Sequence, residues 1–153
     1  MSRKMSLLAV AVVLAVGAVA ASAYLLYSHT PAAATAPLPA WCVKPKGGYL
    51  IVANLDGYND SKDHNVGVGN ELGSWPVINV NKGANVTITV CNTDTQDHGF
   101  NIRYYYDSKV VAVAPGKSLT VSFIADQKGS YAIYCDIFCT VHIYMQSGKL
   151  VVS

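Results

Sequence analysis

The feature that most restricts the fold of this chain is how often it is interrupted. After Trp41, glycine, proline, asparagine and aspartate break the sequence every few residues, and no window of a dozen residues keeps a helical period. The runs between the breaks are rich in β-branched and aromatic residues. They predict strands at Tyr49–Asn54, Val77–Val80, Asn85–Cys91, Gly99–Tyr105, Lys109–Val113, Ser118–Ile124, Ser130–Cys135 and Lys149–Val152. Turn signals stand between them, among them Asn81-Lys82-Gly83, Ala114-Pro115-Gly116 and Gln127-Lys128-Gly129. Val86, Ile88 and Val90 alternate with Thr87 and Thr89, the pattern of a strand with one buried face. Eight such strands in about 105 residues predict an all-β fold, a small antiparallel sandwich or barrel. Residues 55–74 are polar and glycine-rich and read as a long loop or irregular insertion.

The N-terminus is of another kind. Ser6 to Tyr27 carry no charge and are mostly Ala, Val and Leu; as a helix they span roughly 33 Å, close to a bilayer's hydrocarbon thickness. Arg3 and Lys4 precede them, which orients the rest of the chain outside the cytoplasm. Ala21-Ser22-Ala23 is also an A-x-A-like cleavage site, so a cleaved signal peptide is the competing reading; the apolar run continues past it through Leu25, Leu26 and Tyr27, which favours residues 1–27 as a retained single-pass anchor. Residues 28–40, with three prolines, read as an extended tether, and residues 41–153 as the folded domain. The formal charge of +2 comes wholly from Arg3 and Lys4. The neutral remainder offers no basic face for a nucleic acid, and with only 13% charged and 52% hydrophobic residues the chain is neither disordered nor a coiled coil.

Chemistry concentrates near the C-terminus, where Cys135, Cys139, His142 and Met145 fall within eleven residues between two predicted strands. Thiolate, imidazole and thioether form a soft donor set that selects copper. Zinc would accept the thiols and the imidazole but rarely a thioether, and a short-range Cys135–Cys139 disulfide is the other competing reading. A site closed by one loop wants a remote ligand. His98, in Asp97-His98-Gly99-Phe100, follows strand Asn85–Cys91 and its polar turn, whereas His29 lies on the tether and His64 in the polar insertion. Asp136 and Asp97 are candidates to tune the metal through hydrogen bonds to its ligands.

These residues resemble the cupredoxins, and most closely the copper-bearing subunit II of heme–copper oxidases. The likeness covers roughly residues 76–153 and the single N-terminal anchor. It rests on His98-Gly99-Phe100, Ala114-Pro115-Gly116, Gly129-Ser130-Tyr131 leading into Cys135, and the cysteine pair four apart. It implies a cupredoxin-like Greek-key sandwich or barrel carrying a binuclear CuA-like centre. Cys135 and Cys139 would be the bridging thiolates, His98 and His142 the imidazoles, Met145 the thioether and Ile137 the backbone carbonyl. The loop reads C-x3-C-x2-H-x2-M, one residue shorter than the C-x3-C-x3-H-x2-M of that family, and Thr140 stands where glycine is common. The shortened part is similar to the loop of amicyanin-type blue copper proteins, which hold one mononuclear type 1 copper and would leave Cys135 idle.

The resemblance implies a one-electron relay in the cell membrane, with its copper domain on the extracytoplasmic side. A cytochrome, copper protein or quinol would be the donor, and a heme-bearing membrane oxidase subunit the acceptor. No substrate chemistry is expected on this chain alone. The alternatives are a stand-alone tethered blue copper carrier, a copper chaperone or storage domain, and a quinol-oxidase relative with a degenerate metal site. Cys42 and Cys91 can pair outside the cytoplasm and tie the tether to the sandwich; otherwise Cys91 is a buried small hydrophobe.

Overall fold

The computed structural model describes residues 37–54, 66–69 and 74–153. They belong to one unit, Thr35–Ser153. The expected anchor, most of the tether, His29 and His64 lie outside the described residues. Among the described residues no helix is long and apolar enough to cross a membrane.

The described residues form ten strands: β1 (Tyr49–Ala53), β2 (Val66–Gly69), β3 (Val77–Val80), β4 (Asn85–Asn92), β5 (His98–Gly99), β6 (Asn101–Ile102), β7 (Ala112–Val113), β8 (Ser118–Ile124), β9 (Gly129–Tyr134) and β10 (Gly148–Val152). One sheet has the order β2-β1-β4-β8, a second β3-β10-β9-β6, and β5 pairs with β7. The antiparallel expectation is corrected here. β1 runs parallel to both β2 and β4, and β3 parallel to β10, while β4/β8, β9/β10, β6/β9 and β5/β7 are antiparallel.

The sequence of β1 explains its place. Tyr49-Leu50-Ile51-Val52-Ala53 does not alternate, and a continuous apolar strand is stable only with both faces covered. On one side Ile51 and Ala53 join Trp75, Ile78, Ile88, Phe100, Ile133, Leu150 and others in the main core. On the other, Leu50 and Val52 pack with Val68, Cys42 and Cys91, with Leu38 over them. A disulfide joins Cys42 to Cys91, whose Cα atoms lie 5.7 Å apart. Val86, Ile88 and Val90 of β4 enter the main core as expected, but the opposite face is covered too from Thr89 onward; the Thr87 and Thr89 hydroxyls pair at 2.9 Å with Ser122 and Thr120 on β8.

Other departures have local causes. β2 forms inside the stretch expected to be a loop, because β1 offers it a partner edge. The strand predicted over Gly99–Tyr105 breaks at Phe100 and ends at Ile102. There the chain doubles back: Ile102 and Tyr106 exchange backbone hydrogen bonds of 2.8 and 2.7 Å, and Tyr104 takes a positive φ of 74°. Ring contacts of Tyr104 with Tyr105 (4.9 Å) and Tyr131 (5.6 Å) hold that turn. Only Ala112–Val113 of the predicted Lys109–Val113 is strand. Gly83 and Gly116, at φ of 88° and 69°, occupy the left-handed positions of two of the predicted turns.

Candidate metal centre

β9 ends at Tyr134, and the segment before β10 returns through a single 3-10 turn, His142–Met145. Two backbone bonds close this loop: Cys135 N–H donates to the Met145 carbonyl at 3.1 Å and His142 N–H to that of Cys139 at 3.3 Å. On the neighbouring edge, Gly99 donates its N–H to Cys135 Sγ at 3.1 Å. Gly99 is the residue that permits this approach. A β-carbon there would strike the Asp136 carboxylate and come within 2.8 and 2.9 Å of the Asp136 and Ile137 backbone nitrogens.

The result is a convergence of donors. One ligand atom each from His98, Cys135 and Cys139 lies within 4.8 Å of the others, and all three residues are buried. Cys135 Sγ donates to the Ile137 carbonyl at 3.0 Å, and His142 Nδ1 lies 3.1 Å from the same oxygen and 3.9 Å from Cys139 Sγ. Of the six residues singled out from sequence, His98, Cys135 and Cys139 thus form one donor group, and the Ile137 carbonyl and His142 stand against its thiols. Met145, the sixth, is fully buried on the 3-10 turn. A β-carbon on Gly69 would come within 2.6 Å of Met145 Cγ and 2.8 Å of Trp75 Nε1, so the bare backbone of β2 leaves room for both side chains. Phe138 and Ile143, at 91% and 76% exposure, stand outside the loop, with the Phe138 ring 5.8 Å from that of His142.

Second contacts prepare the donors. His98 Nε2 donates to Asp94 Oδ2 at 2.9 Å, with the two side chains 1% and 8% exposed. That bond turns Nδ1 inward, and Nδ1 is buried with no partner. An orphaned imidazole nitrogen beside two buried thiols fits a soft metal ion, which would supply the missing partner. Burial raises the Asp94 pKa, but hydrogen bonds from Thr95 N–H, His98 and the Asn54 side chain outweigh that and hold it below the ordinary carboxylate value. Cys139 goes the other way: burial, reinforced by neighbouring Cys135, pushes its thiol up to about 12.

The protein-family model described as the cupredoxin-like domain matches residues 18–152. The chain belongs to the cupredoxin-like family. No curated protein sequence matches it. Among solved structures, a chain of a heme–copper terminal oxidase dimer is 19% identical over 100% of both chains, with a TM-score of 0.49. A copper-containing nitrite reductase from Thermus scotoductus SA-01 is 28% identical over 52% of this chain and 20% of its own, with a TM-score of 0.45. A multicopper oxidase is 20% identical over 51% of this chain and 31% of its own, with a TM-score of 0.44. The chain spans less than a third of each multicopper oxidase it matches first, 31% and 28% of two of them, and 28% of the blue copper oxidase from Nitrosomonas europaea.

In this cupredoxin the acid beside His98 is Asp94, rather than Asp97, which is exposed, or Asp136, which packs on Gly99. Asn92 builds the loop that brings it there. Its side chain donates to the carbonyls of Gln96 and Val113, both at 2.7 Å, and accepts from Asp94 N–H at 2.9 Å. Gln96 then donates to the Thr140 hydroxyl at 2.8 Å, joining this loop to the ligand loop. The signal in sequence was Asn92-Thr93-Asp94, an Asx-turn pattern directly after a strand.

Proposed function

We propose that this cupredoxin is a membrane-anchored electron-transfer protein, a subunit II-like component of a respiratory heme–copper terminal oxidase that relays single electrons through a CuA-like centre. The observation that carries the reading is the joint burial of both thiols with His98 in one donor cluster. A mononuclear site would need only one of them.

His98, Cys135, Cys139, His142 and Met145 would hold the copper, with the Ile137 carbonyl beside them. Copper in such a set supplies a one-electron couple. The chain's own contribution is rigidity: β9 and β10 fix the loop ends, Asp94 fixes the His98 ring, and the loop is locked to its neighbour through Gln96 and Thr140. In the metal-free chain the thiol of Cys139 keeps its proton, so loading must displace it.

The apolar stretch from Ser6 to Tyr27 would anchor the chain, with the domain on the extracytoplasmic face. The Cys42–Cys91 disulfide supports that side, since such bonds persist in oxidising compartments. A heme-bearing membrane subunit as acceptor and a small donor, a cytochrome, copper protein or quinol, follow from the subunit II resemblance.

Metal counting with optical and EPR spectroscopy of the copper-loaded chain tests this. Two coppers per chain, and a hyperfine pattern from one electron shared by two copper nuclei, are expected. A single copper with an intense blue band and coupling to one nucleus would establish the amicyanin-like site instead, and that signal would survive Cys135→Ser. Absence of tightly held copper would overturn both.

A further inference from the structure

The ligand loop contains one side chain that the copper reading does not use, although it touches two of the residues that reading names. Gln146 Nε2 donates to the Cys135 carbonyl at 2.8 Å and lies 3.1 Å from His142 Nε2. A backbone carbonyl only accepts, so the Gln146 atom facing it must be the amide nitrogen. The second hydrogen of that NH2 group then points at His142 Nε2, which must be the bare, accepting nitrogen. His142 therefore carries its proton on Nδ1, and the contact of Nδ1 with the Ile137 carbonyl at 3.1 Å is the hydrogen bond this requires. These three contacts are mutually consistent with that tautomer, and they are shorter than the 3.9 Å from Nδ1 to Cys139 Sγ, the one contact that would suit a bare Nδ1.

We infer that Gln146 is a latch on the metal centre, a positioning residue that holds His142 in the tautomer unable to offer Nδ1 to a metal. The inference rests on the copper-site reading only for its consequence. To present Nδ1 as a ligand, His142 releases that proton to water and takes one at Nε2, with no net change in charge. Nε2–H would then face the Gln146 NH2 group, donor against donor. An amide flip does not relieve this, because it would set the Gln146 oxygen against the Cys135 carbonyl. Gln146 must therefore swing out. It is exposed, so water can take over the hydrogen bond to Cys135. His142 thus joins last, after His98, Cys135 and Cys139, which already form the tight group. Gln146 also keeps the ring facing inward meanwhile, so the latch stores the ligand in place with its donor atom capped.

The test uses the full chain in detergent micelles with nitrogen-15 in its histidines. In the copper-free wild type, ring correlations of His142 should show protonated Nδ1 and bare Nε2. In Gln146→Met, which is of similar length without hydrogen bonds, the Nε2–H form should gain population, and in Gln146→Glu, which only accepts, it should dominate. On mixing with copper, the final spectrum should develop about three- to tenfold faster in Gln146→Met than in wild type, the factor expected from losing one ordinary hydrogen bond. A wild-type His142 protonated at Nε2, or equal loading rates in the two chains, would overturn the latch. If neither chain takes copper, the copper-site reading fails and the role in loading falls with it, while the ring correlations still decide the tautomer.

Discussion

Between Asp94 and His98 a single 2.9 Å hydrogen bond, sealed from water, orients the imidazole whose other nitrogen faces the thiols. Removing the carboxylate leaves a buried N–H without an acceptor and frees the ring to turn. Asp94→Ala is expected to weaken copper binding about 10- to 100-fold, read by competition with a chelator. The raised Cys139 pKa makes a second expectation, and its sign follows from linkage. The folded chain holds the thiol proton up to about 12, whereas the unfolded chain releases it near 9.0. The stabilisation is complete below the unfolded value and is lost as pH rises from there through the folded one. Thermal unfolding of the metal-free chain should therefore fall more steeply across that alkaline window in wild type than in Cys139→Ser.

The short strands β5 and β6 carry His98 and then pass close beside the start of the ligand loop. Their approach depends on Gly99, whose N–H reaches Cys135 Sγ. In Gly99→Ala the new methyl meets backbone nitrogens at 2.8 and 2.9 Å, which cannot yield as a flexible side chain would. The substitution should cost about 1–3 kcal/mol in chemical denaturation of the metal-free chain. Much of this arrangement was hard to read in sequence. The run from Gly99 to Tyr105 has strand composition throughout, yet Tyr104 bends away because Tyr131, on a strand nearly thirty residues later, stacks on it. The proximity of Asp94 to His98 likewise depends on the side chain of Asn92 folding the loop back.

Across the whole domain the Cys42–Cys91 bond clips the segment before β1 onto the outer face of the first sheet, over Leu50, Val52 and Val68. It closes a loop with a sequence separation of 49, and its loss should cost about 2–4 kcal/mol, mainly by freeing the unfolded chain. Urea unfolding of Cys42→Ser against wild type measures this. A midpoint unchanged by the substitution would mean that packing of the segment through Leu38, without the covalent bond, is enough to hold it.

What could be read without coordinates is what neighbours along the chain decide. Turn residues and alternation specified an all-β domain, and the donors Cys135, Cys139, His142 and Met145 stand within a single loop. His98 was legible because a short motif surrounds it. Three things came only from packing. The parallel pairings of β1 and β3 join strands whose register depends on which apolar faces meet in the core. The pairing of Cys42 with Cys91 stood in the sequence as one of two readings, and the choice between them fell to packing, because a two-faced β1 needs an outer cover. The polar contacts of Asp94, Asn92 and Gln146 arise between side chains that converge when the loops fold, and residue type alone does not determine a hydrogen bond of a particular length and direction.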